Sequence, residues 1–309
     1  MKLFILKICM FAFICLLTDR VIGVISDYLV EHAKNSETAK LYNICERCTD
    51  NLLIFGTSRG IFHYDTKIFE DSLKISCYNC GLSGYGSVFF NGLYKIICQR
   101  YTPKYIIYDV APFADYLVKK EDNSKFLGPL KRYRDYPGIG DILEFVADPS
   151  EIIKTYSYMY RYNSKFCMMI IDNLKSDSDY DKGYKGFVPK EGIIENDVKW
   201  TKDSEDKTFE HYFDPVRKKL FDDFVEDCIN NGTKLLFCVS PWYKRKTDES
   251  FDYAKLVAHK YGIPFINHYN DTMLNTHREY FYDPLHLNKK GAEQYSRIIA
   301  HEIKKYINE

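Results

Sequence analysis

One serine, one histidine and one aspartate have the types and the chain order needed for nucleophilic acyl transfer. Asp283 and His286 stand three apart in YFYDPLHLNKKGAEQYS, directly before a predicted helix. Ser58 stands in IFGTSRG, two residues after Gly56 and beyond a short apolar run. In such a group the histidine takes the proton of the serine hydroxyl, and the aspartate orients the imidazole. The sequence therefore predicts a Ser-His-Asp triad.

Each of the three residues also has a structural interpretation when it is considered alone. Ser58 is suited to capping the helix that follows it, and Asp283 is suited to stabilising a turn. His286 is equally compatible with a buried, hydrogen-bonded position. The functional interpretation is favoured because all three occur together, in a suitable order, at predicted neighbouring positions.

The elements that must position these residues alternate between strand and helix. Short apolar runs predict strands at 51–56, 73–79, 104–110, 234–240 and 263–268. Helical spacing of apolar residues predicts helices at 85–101, around 216–229, at 249–262 and at 289–307. Asn288 is the predicted N-cap of the last helix. This alternation predicts a parallel sheet with helices on both faces.

The predicted topology brings the candidate residues to one edge of the sheet. Ser58 follows the first strand, whereas Asp283 and His286 follow the fifth. Sites in open α/β sheets gather at the carboxyl ends of the strands. Residues 113–210, which are polar and aromatic, interrupt the alternation after the third strand, and DPSEIIKTYSYMYRY within them favours a helix. We expect them to form an insertion that overhangs this edge.

Three stretches resemble the sequence blocks of SGNH/GDSL-type hydrolases. FGTSRG resembles the first block with Ser58 as the nucleophile, YNCGLSGYG resembles the second with Gly84, and DPLHLNKKGAEQYS resembles the last. The resemblance covers residues 51–309 except the insertion. It implies a flavodoxin-like three-layer α/β sandwich with a central parallel sheet of about five strands. It also implies an oxyanion hole from the backbone N–H groups of Ser58 and Gly84, and neither a cofactor nor a metal.

The third block of that family departs from its usual pattern here. An asparagine normally follows the third strand, but this chain has DVAPFAD, with Phe113 at about that place. Loss of one oxyanion donor costs roughly 3–4 kcal/mol of transition-state stabilisation. The resemblance extends to divergent, membrane-anchored envelope proteins, many of which act on acyl groups of cell-surface polysaccharides.

Two functions follow from this resemblance. The first is a serine esterase or O-acyltransferase acting on acyl esters, acetyl above all, of an extracytoplasmic carbohydrate. The alternative is a catalytically weak or inactive carbohydrate-binding or assembly protein of the cell envelope.

Three further residues are candidates for substrate contacts at the same rim. Arg59 follows the nucleophile and is suited either to binding an anionic group or to pairing with an acid of the fold. Trp242 and Tyr243 follow the fourth strand, where aromatic rings stack on sugars or simply pack a loop. Asp109 and Asp115 lie near the same edge, and the sequence assigns them no role.

The first 26 residues predict export or membrane attachment. Lys2 and Lys7 precede an apolar run that Thr18, Asp19 and Arg20 interrupt. An uncleaved signal anchor over roughly 3–25, a cleaved signal peptide and a buried helix are all compatible with this pattern. The first two place the bulk of the chain on the extracytoplasmic side. Residues 27–50 form a polar lead-in to the domain.

Charge and cysteine content bear on other classes of function. The chain has 43 basic and 43 acidic residues, so it lacks the electrostatic footprint of a nucleic-acid-binding protein. Its ten cysteines include two CxxC pairs, Cys45/Cys48 and Cys77/Cys80. Zinc ligation, a disulfide and ordinary thiols are the three interpretations. Strand geometry disfavours zinc at 77 and 80, since residues three apart on a strand point to opposite faces.

Overall fold

A five-stranded parallel sheet forms the centre of the protein. In the computed structural model the described residues are 1–118, 121–162, 165–175, 178–195, 212–244 and 249–307. The strands are β1 Leu52–Gly56, β2 Cys77–Asn79, β3 Tyr105–Asp109, β4 Lys234–Val239 and β5 Phe265–Asn267. Their order is β2-β1-β3-β4-β5, and every neighbouring pair is parallel. This confirms the predicted α/β class with a central parallel sheet of about five strands, and the observed strand order is that of flavodoxin-like folds.

Helices cover both faces of the sheet. The helices before the insertion are α1 Lys2–Glu31, α2 Glu37–Tyr42, α3 Ser58–His63, α4 Thr66–Leu73 and α5 Ser87–Cys98. Between β3 and β4 lie α6 Pro112–Asp115, α7 Ile139–Val146, α8 Pro149–Lys154, α9 Tyr158–Arg161, α10 Phe166–Leu174, α11 Ser178–Asp181 and α12 Pro215–Asn230. The remaining helices are α13 Asp252–Tyr261, α14 Thr272–Asn275 and α15 Lys289–Ile307. Single-turn or irregular helices lie at Asn43–Arg47, Asn123–Tyr133, Glu249–Phe251 and Arg278–Tyr280.

The two faces of the sheet bury separate apolar cores. On one face α5, α12 and α13 pack through residues such as Phe90, Phe224 and Ala254. On the other face α4 and α15 pack through residues such as Phe69 and Ile299. β1 is buried along its whole length, because it lies between two strands and under helices on both sides. The result is a three-layer sandwich.

The insertion begins and ends at neighbouring points of the fold. Leu117 and Phe213 form an antiparallel bridge, the Val118 N–H donates to the Tyr212 carbonyl at 2.8 Å, and the Asp214 N–H donates to the Tyr116 carbonyl at 2.9 Å. The two ends of the insertion, after β3 and before α12, therefore lie side by side. The predicted helix at 148–162 is present as α8 and α9.

The N-terminal segments differ in their packing. Within the described residues, α1 has the length and apolar composition needed to cross a bilayer, which a signal sequence near the N-terminus also has. The polar lead-in is largely helical and docks on the domain. Arg100 donates to the backbone carbonyls of Ile44, Cys45 and Cys48 at 2.7–2.9 Å, which ties this segment to the end of α5.

One local prediction was wrong in its boundaries. The strand predicted at 73–79 is confined to Cys77–Asn79, because α4 occupies residues up to Leu73 with Asp65 as its N-cap. The Asp-Pro-Leu-His stretch forms the turn of a short antiparallel hairpin, made of β6 Phe281–Asp283 and β7 His286–Leu287.

Candidate active site

A glycine turn at the end of β1 presents Ser58 at the carboxyl edge of the sheet. Gly56 has a φ of +150°, and a Cβ there would lie 2.9 Å from the Asp109 Cβ. Only glycine fits this backbone conformation next to β3. Thr57 then precedes the helix, and Ser58 is the first residue of α3. The first N–H groups of a helix have no acceptor within the helix, so they remain available beside the Ser58 hydroxyl.

The β6–β7 hairpin holds Asp283 and His286 together. The Asp283 Oδ1 atom accepts the backbone N–H groups of Leu285 and His286 at 2.8 and 3.0 Å, which closes the turn. The His286 Nδ1 atom lies 2.8 Å from Asp283 Oδ2 and 3.0 Å from Oδ1. Since an ionised carboxylate only accepts hydrogen bonds, Nδ1 carries the proton in the neutral ring. The Nε2 atom is then the free basic nitrogen.

The free imidazole nitrogen faces the serine. The distance from His286 Nε2 to Ser58 Oγ is 2.7 Å, so the hydroxyl donates to the ring. Asp283, His286 and Ser58 are thus brought into one hydrogen-bonded chain across 225 positions of sequence. The His286 side chain is 18% exposed and Ser58 is partly exposed, so small molecules can reach the group.

The environment of Asp283 favours its charged form. Partial burial pushes the pKa of this carboxyl upward, but hydrogen bonds from the His286 ring and from the Leu285 and His286 backbones outweigh it. The net effect lowers the pKa of Asp283 below its usual value. A carboxylate that stays ionised can stabilise the positive charge that forms on His286 when the ring takes a proton.

The turn after β2 carries Gly84 near this edge. The Leu82 N–H donates to the Gly56 carbonyl at 3.0 Å, which ties the turn to the residue two positions before Ser58. Gly84 is exposed, with a φ of +80°. Among the described residues its N–H has no hydrogen-bond acceptor, whereas those of Gly81 and Leu82 are used within the fold. The backbone N–H group of Gly84 is therefore available to donate a hydrogen bond to a ligand.

The end of β3 has no amide side chain at the expected place. Phe113 stands there, on α6, and it is 43% exposed. Asp115, from the same helix, is buried and accepts from the Tyr108 hydroxyl at 2.6 Å and the Ala111 N–H at 2.7 Å. Burial raises the pKa of Asp115 to about 7. Its carboxylate oxygens are engaged within this turn, so Asp115 stabilises α6.

Arg59 points into the protein and not toward a ligand. It is 4% exposed, pairs with Asp109 Oδ1 at 3.2 Å and donates to the Val110 carbonyl at 2.6 Å. Of the two roles that the sequence allows, the placement matches pairing with an acid of the fold. Arg59 links the end of β1 to the end of β3.

The two aromatic residues after β4 are placed differently. Trp242 is partly exposed, lies 5.3 Å from the Arg59 guanidinium and packs against the Tyr269 ring. Tyr243 is 2% exposed and packs on Phe281 at the base of the hairpin. The Tyr243 ring thus supports the hairpin from within and offers no open face for stacking on a sugar.

His63 is a buried residue of the site that the sequence patterns did not single out. Its Nε2 atom accepts the backbone N–H of Leu287, the residue after His286, at 2.9 Å. Its Nδ1–H therefore donates to the Ser240 hydroxyl, at 2.9 Å. Burial is the main cause that lowers the pKa of His63 well below its usual value, so the ring is neutral. The only hint in the sequence is its position five residues after Ser58.

The end of the insertion borders the same site. The Lys190 carbonyl accepts the Lys289 N–H at 2.7 Å, and the Lys190 ammonium lies 4.4 Å from the Phe62 ring centroid. The Phe62 ring is also nearly perpendicular to the His286 ring, with their centroids 5.5 Å apart. Asn288 joins this contact, since its amide donates to the Gly192 carbonyl while its oxygen accepts the Gly291 N–H at 3.0 Å. The predicted N-cap role of Asn288 is confirmed.

The two CxxC pairs hold thiols in the structure. All four of these cysteines are buried and free, and the described residues contain no group of three or more side chains suited to a metal. Burial raises the pKa of Cys45 to about 12 and that of Cys48 to about 11. These cysteines are therefore protonated thiols that contribute to packing.

Comparison with known proteins gives structural matches only. No family model and no curated protein matches the chain. One solved structure, inferred to be an acylhydrolase of Bacteroides fragilis NCTC 9343, has a TM-score of 0.39 and 11% identity, covering 88% of this chain and 98% of its own. Another, the α/β hydrolase enzyme LAE5 from the metagenome of Lake Arreo, Spain, has a TM-score of 0.42 and 10% identity, covering 86% and 100%. At these scores neither likeness indicates a function for this chain.

Proposed function

We propose that this protein is a serine esterase or O-acyltransferase of SGNH type, with Ser58, His286 and Asp283 as its catalytic triad. One observation carries the proposal: an unbroken hydrogen-bonded chain runs from the Ser58 hydroxyl through His286 to Asp283 at the carboxyl edge of the sheet. A nucleophile within reach of a base, and a base oriented by an acid, are the geometric requirements of this chemistry.

The first half-reaction forms an acyl-enzyme. The Ser58 Oγ atom attacks the ester carbonyl carbon while its proton passes to His286 Nε2. The carbonyl electrons move to the oxygen, which the backbone N–H groups of Ser58 and Gly84 face in this proposal. When the C–O bond to the alcohol breaks, the proton on Nε2 passes to the leaving oxygen. Asp283 holds the ring tautomer throughout and balances the imidazolium charge.

The second half-reaction returns the enzyme to its starting state. A hydroxyl group attacks the acyl carbon, loses its proton to His286 Nε2, and the Ser58 oxygen leaves with that proton. Water as the acceptor gives an esterase, whereas a sugar hydroxyl gives an O-acyltransferase. The triad performs the same proton transfers in both.

We place the substrate, an acylated carbohydrate, on the extracytoplasmic side of a membrane. The apolar N-terminal helix α1 and the basic residues Lys2 and Lys7 support a signal anchor with its N-terminus in the cytoplasm. The resemblance to envelope SGNH proteins supports acetyl esters of a polysaccharide. The partly exposed Trp242 ring is suited to stacking on a sugar.

Turnover of p-nitrophenyl acetate by the full chain in detergent tests this proposal. We expect Ser58→Ala and His286→Ala each to lower kcat by roughly 10³-fold or more, since the triad acts as a unit. Ser72→Ala is the matched control, because Ser72 is an exposed serine on α4. It should keep wild-type kcat. Turnover that is unchanged in Ser58→Ala would contradict the proposal.

The placement of Phe113 favours one alternative, a carbohydrate-binding protein that has lost catalysis. A hydrophobic side chain stands where the family supplies an oxyanion donor. Under this alternative the folded wild-type chain would not turn over p-nitrophenyl acetate, yet it would bind acetylated polysaccharide. Ser58→Ala would then bind it with unchanged affinity.

A further inference from the structure

The C-terminal half of α1 is packed on the insertion. Asp19, which interrupts the apolar N-terminal stretch, accepts the Tyr158 and Met159 backbone N–H groups at 3.0 Å each and also accepts the Ser157 hydroxyl. These are the free donors at the start of α9. The Asp19 carboxylate thus caps another helix, and its negative charge is satisfied by that helix start.

Contact between the two helices is close at this point. A Cβ on Gly23 would lie 2.6 Å from the Tyr158 Cβ, so the glycine allows α9 to approach the backbone of α1. The Arg20 guanidinium lies 4.3 Å from the centroid of the same tyrosine ring.

Further contacts continue to the end of α1. Arg132 pairs with Asp27 at 3.1 Å, and the Tyr162 hydroxyl donates to the same carboxylate. The Asn173 amide, next to the end of α10, donates to the Leu29 carbonyl at 2.7 Å. From Asp19 onward, α1 belongs to the folded body of the protein.

The apolar stretch before Asp19 is too short to cross a bilayer alone. Leu3–Leu17, which is apolar except for Lys7, contains fifteen residues, and these span about 22 Å at 1.5 Å per residue. The hydrocarbon core of a bilayer is about 30 Å thick and takes about 20 helical residues. A span that begins at Leu3 therefore ends near Ile22, within the segment that contacts α9. The helices packed there must lie at the membrane surface.

Those helices, α9 and α10, and α8 directly before α9 expose apolar side chains. Ile153 on α8 is 71% exposed, and Leu174 at the end of α10 is 77% exposed. The exposed apolar residues of this region include Ile153, Tyr156, Met159, Met168, Ile171 and Leu174. Exposed lysines, such as Lys165 and Lys175, stand among them. Apolar side chains interspersed with lysine are typical of surfaces that lie in the lipid headgroup region.

We propose that residues 149–162 and 165–175, here called the collar, form a membrane-contacting surface beside α1. The exposed apolar side chains of the collar enter the headgroup region of the bilayer, and its lysines meet lipid phosphates. This inference rests on the membrane anchoring in the proposed function. In this proposal α1 and the collar contact the membrane as one rigid unit. Their packing fixes the distance between the folded domain and the lipid surface.

Tryptophan quenching by brominated lipid tests the collar in the full chain. Variants Ile153→Trp, Leu174→Trp, Phe11→Trp and Met273→Trp would each be reconstituted into vesicles of phosphatidylcholine and phosphatidylglycerol, with or without brominated acyl chains. Wild-type fluorescence, from its own two tryptophans, is subtracted. Phe11 reports on the α1 span, and Met273, which is 75% exposed on α14, is the control outside the collar.

We expect the fluorescence added at 153 and 174 to fall with brominated lipid, most strongly when the bromines lie near the headgroups. Phe11→Trp should respond most strongly to bromines deep in the chains, and Met273→Trp should not respond. Quenching at 11 but not at 153 and 174 would overturn the collar while leaving the anchor intact. So would mutual cross-linking of two chains through position 174, because a second copy would then cover this surface. No quenching at 11 would overturn both the membrane anchor and the collar. The proposed esterase activity would be unaffected by this result, because p-nitrophenyl acetate turnover tests it separately.

Discussion

At the scale of single residues, the site depends on which nitrogen of each histidine carries a proton. The carboxylate of Asp283 fixes the proton of His286 on Nδ1, which leaves Nε2 for Ser58. The Leu287 N–H fixes the proton of His63 on its own Nδ1. His286 thereby presents its free nitrogen to Ser58, whereas His63 on α3 is neutral, buried and bonded to the residue that follows His286 in the hairpin.

His63 gives a prediction about stability and pH. The pKa of His63 is lowered in the folded state, mainly by burial. Below about pH 6.5 its imidazole is therefore protonated in the unfolded chain but stays neutral in the folded chain. The contribution of His63 to the free energy of unfolding is fully present above that pH. It decreases as the pH falls, by up to about 1.4 kcal/mol per pH unit. We expect the stability advantage of wild type over His63→Gln to shrink from pH 7 to pH 5. Urea unfolding in detergent measures it, and an advantage that is independent of pH would contradict a buried neutral ring.

Sequence patterns singled out Ser58, Asp283 and His286 but not the residues that support them. Ser58, Asp283 and His286 stand in short motifs with a recognisable order, so their meeting at one sheet edge followed from the strand pattern. His63 and Lys190 stand in no motif. Their contacts depend on how α3, the hairpin and the end of the insertion fold against one another, which local periodicity does not contain.

At the scale of elements, the site is built from chain ends that converge at one edge of the sheet. β1 delivers Ser58, β3 delivers Asp109 as the partner of Arg59, and the β6–β7 hairpin delivers the other two triad residues. The long buried strands were predictable because their apolar runs are continuous. The short elements α4 and β6–β7 were not, since helices of this length and two-stranded hairpins form mainly through tertiary contacts.

The turn at Gly56 gives a prediction at this scale. In Gly56→Ala the new Cβ would meet the Asp109 Cβ at 2.9 Å and the Gly60 Cα at 3.1 Å, in a backbone conformation that alanine rarely adopts. We expect a loss of roughly 3 kcal/mol or more in the free energy of unfolding, together with loss of esterase turnover. Gly232→Ala is the matched control, because Gly232 also has a positive φ but open space around it. It should cost about 1 kcal/mol and leave turnover intact. Equal losses in both variants would show that the turn does not depend on this contact.

At the scale of the whole molecule, the insertion contacts both the candidate active site and the N-terminal helix α1. Its last part, around Lys190 and Gly192, lies beside Asn288 and the β6–β7 hairpin, and its helices α9 and α10 hold the C-terminal half of α1. The sequence indicated an insertion over the sheet edge and an apolar N-terminal segment, but it gave no sign that the two are in contact. That contact depends on single side chains such as Asp19 and Gly23, whose partners lie more than 130 residues away.

Covalent labelling with a fluorophosphonate tests the central claim most directly, because this probe reacts with a serine only where a base activates it. The full chain in detergent would be incubated with the probe, and the adduct would be located by peptide mass spectrometry. We predict a single adduct on Ser58 that is absent in Ser58→Ala, strongly slowed in His286→Ala and unchanged in Ser72→Ala. A folded wild-type chain that takes up no probe, or takes it up equally after Ser58→Ala, would contradict Ser58 as an activated nucleophile.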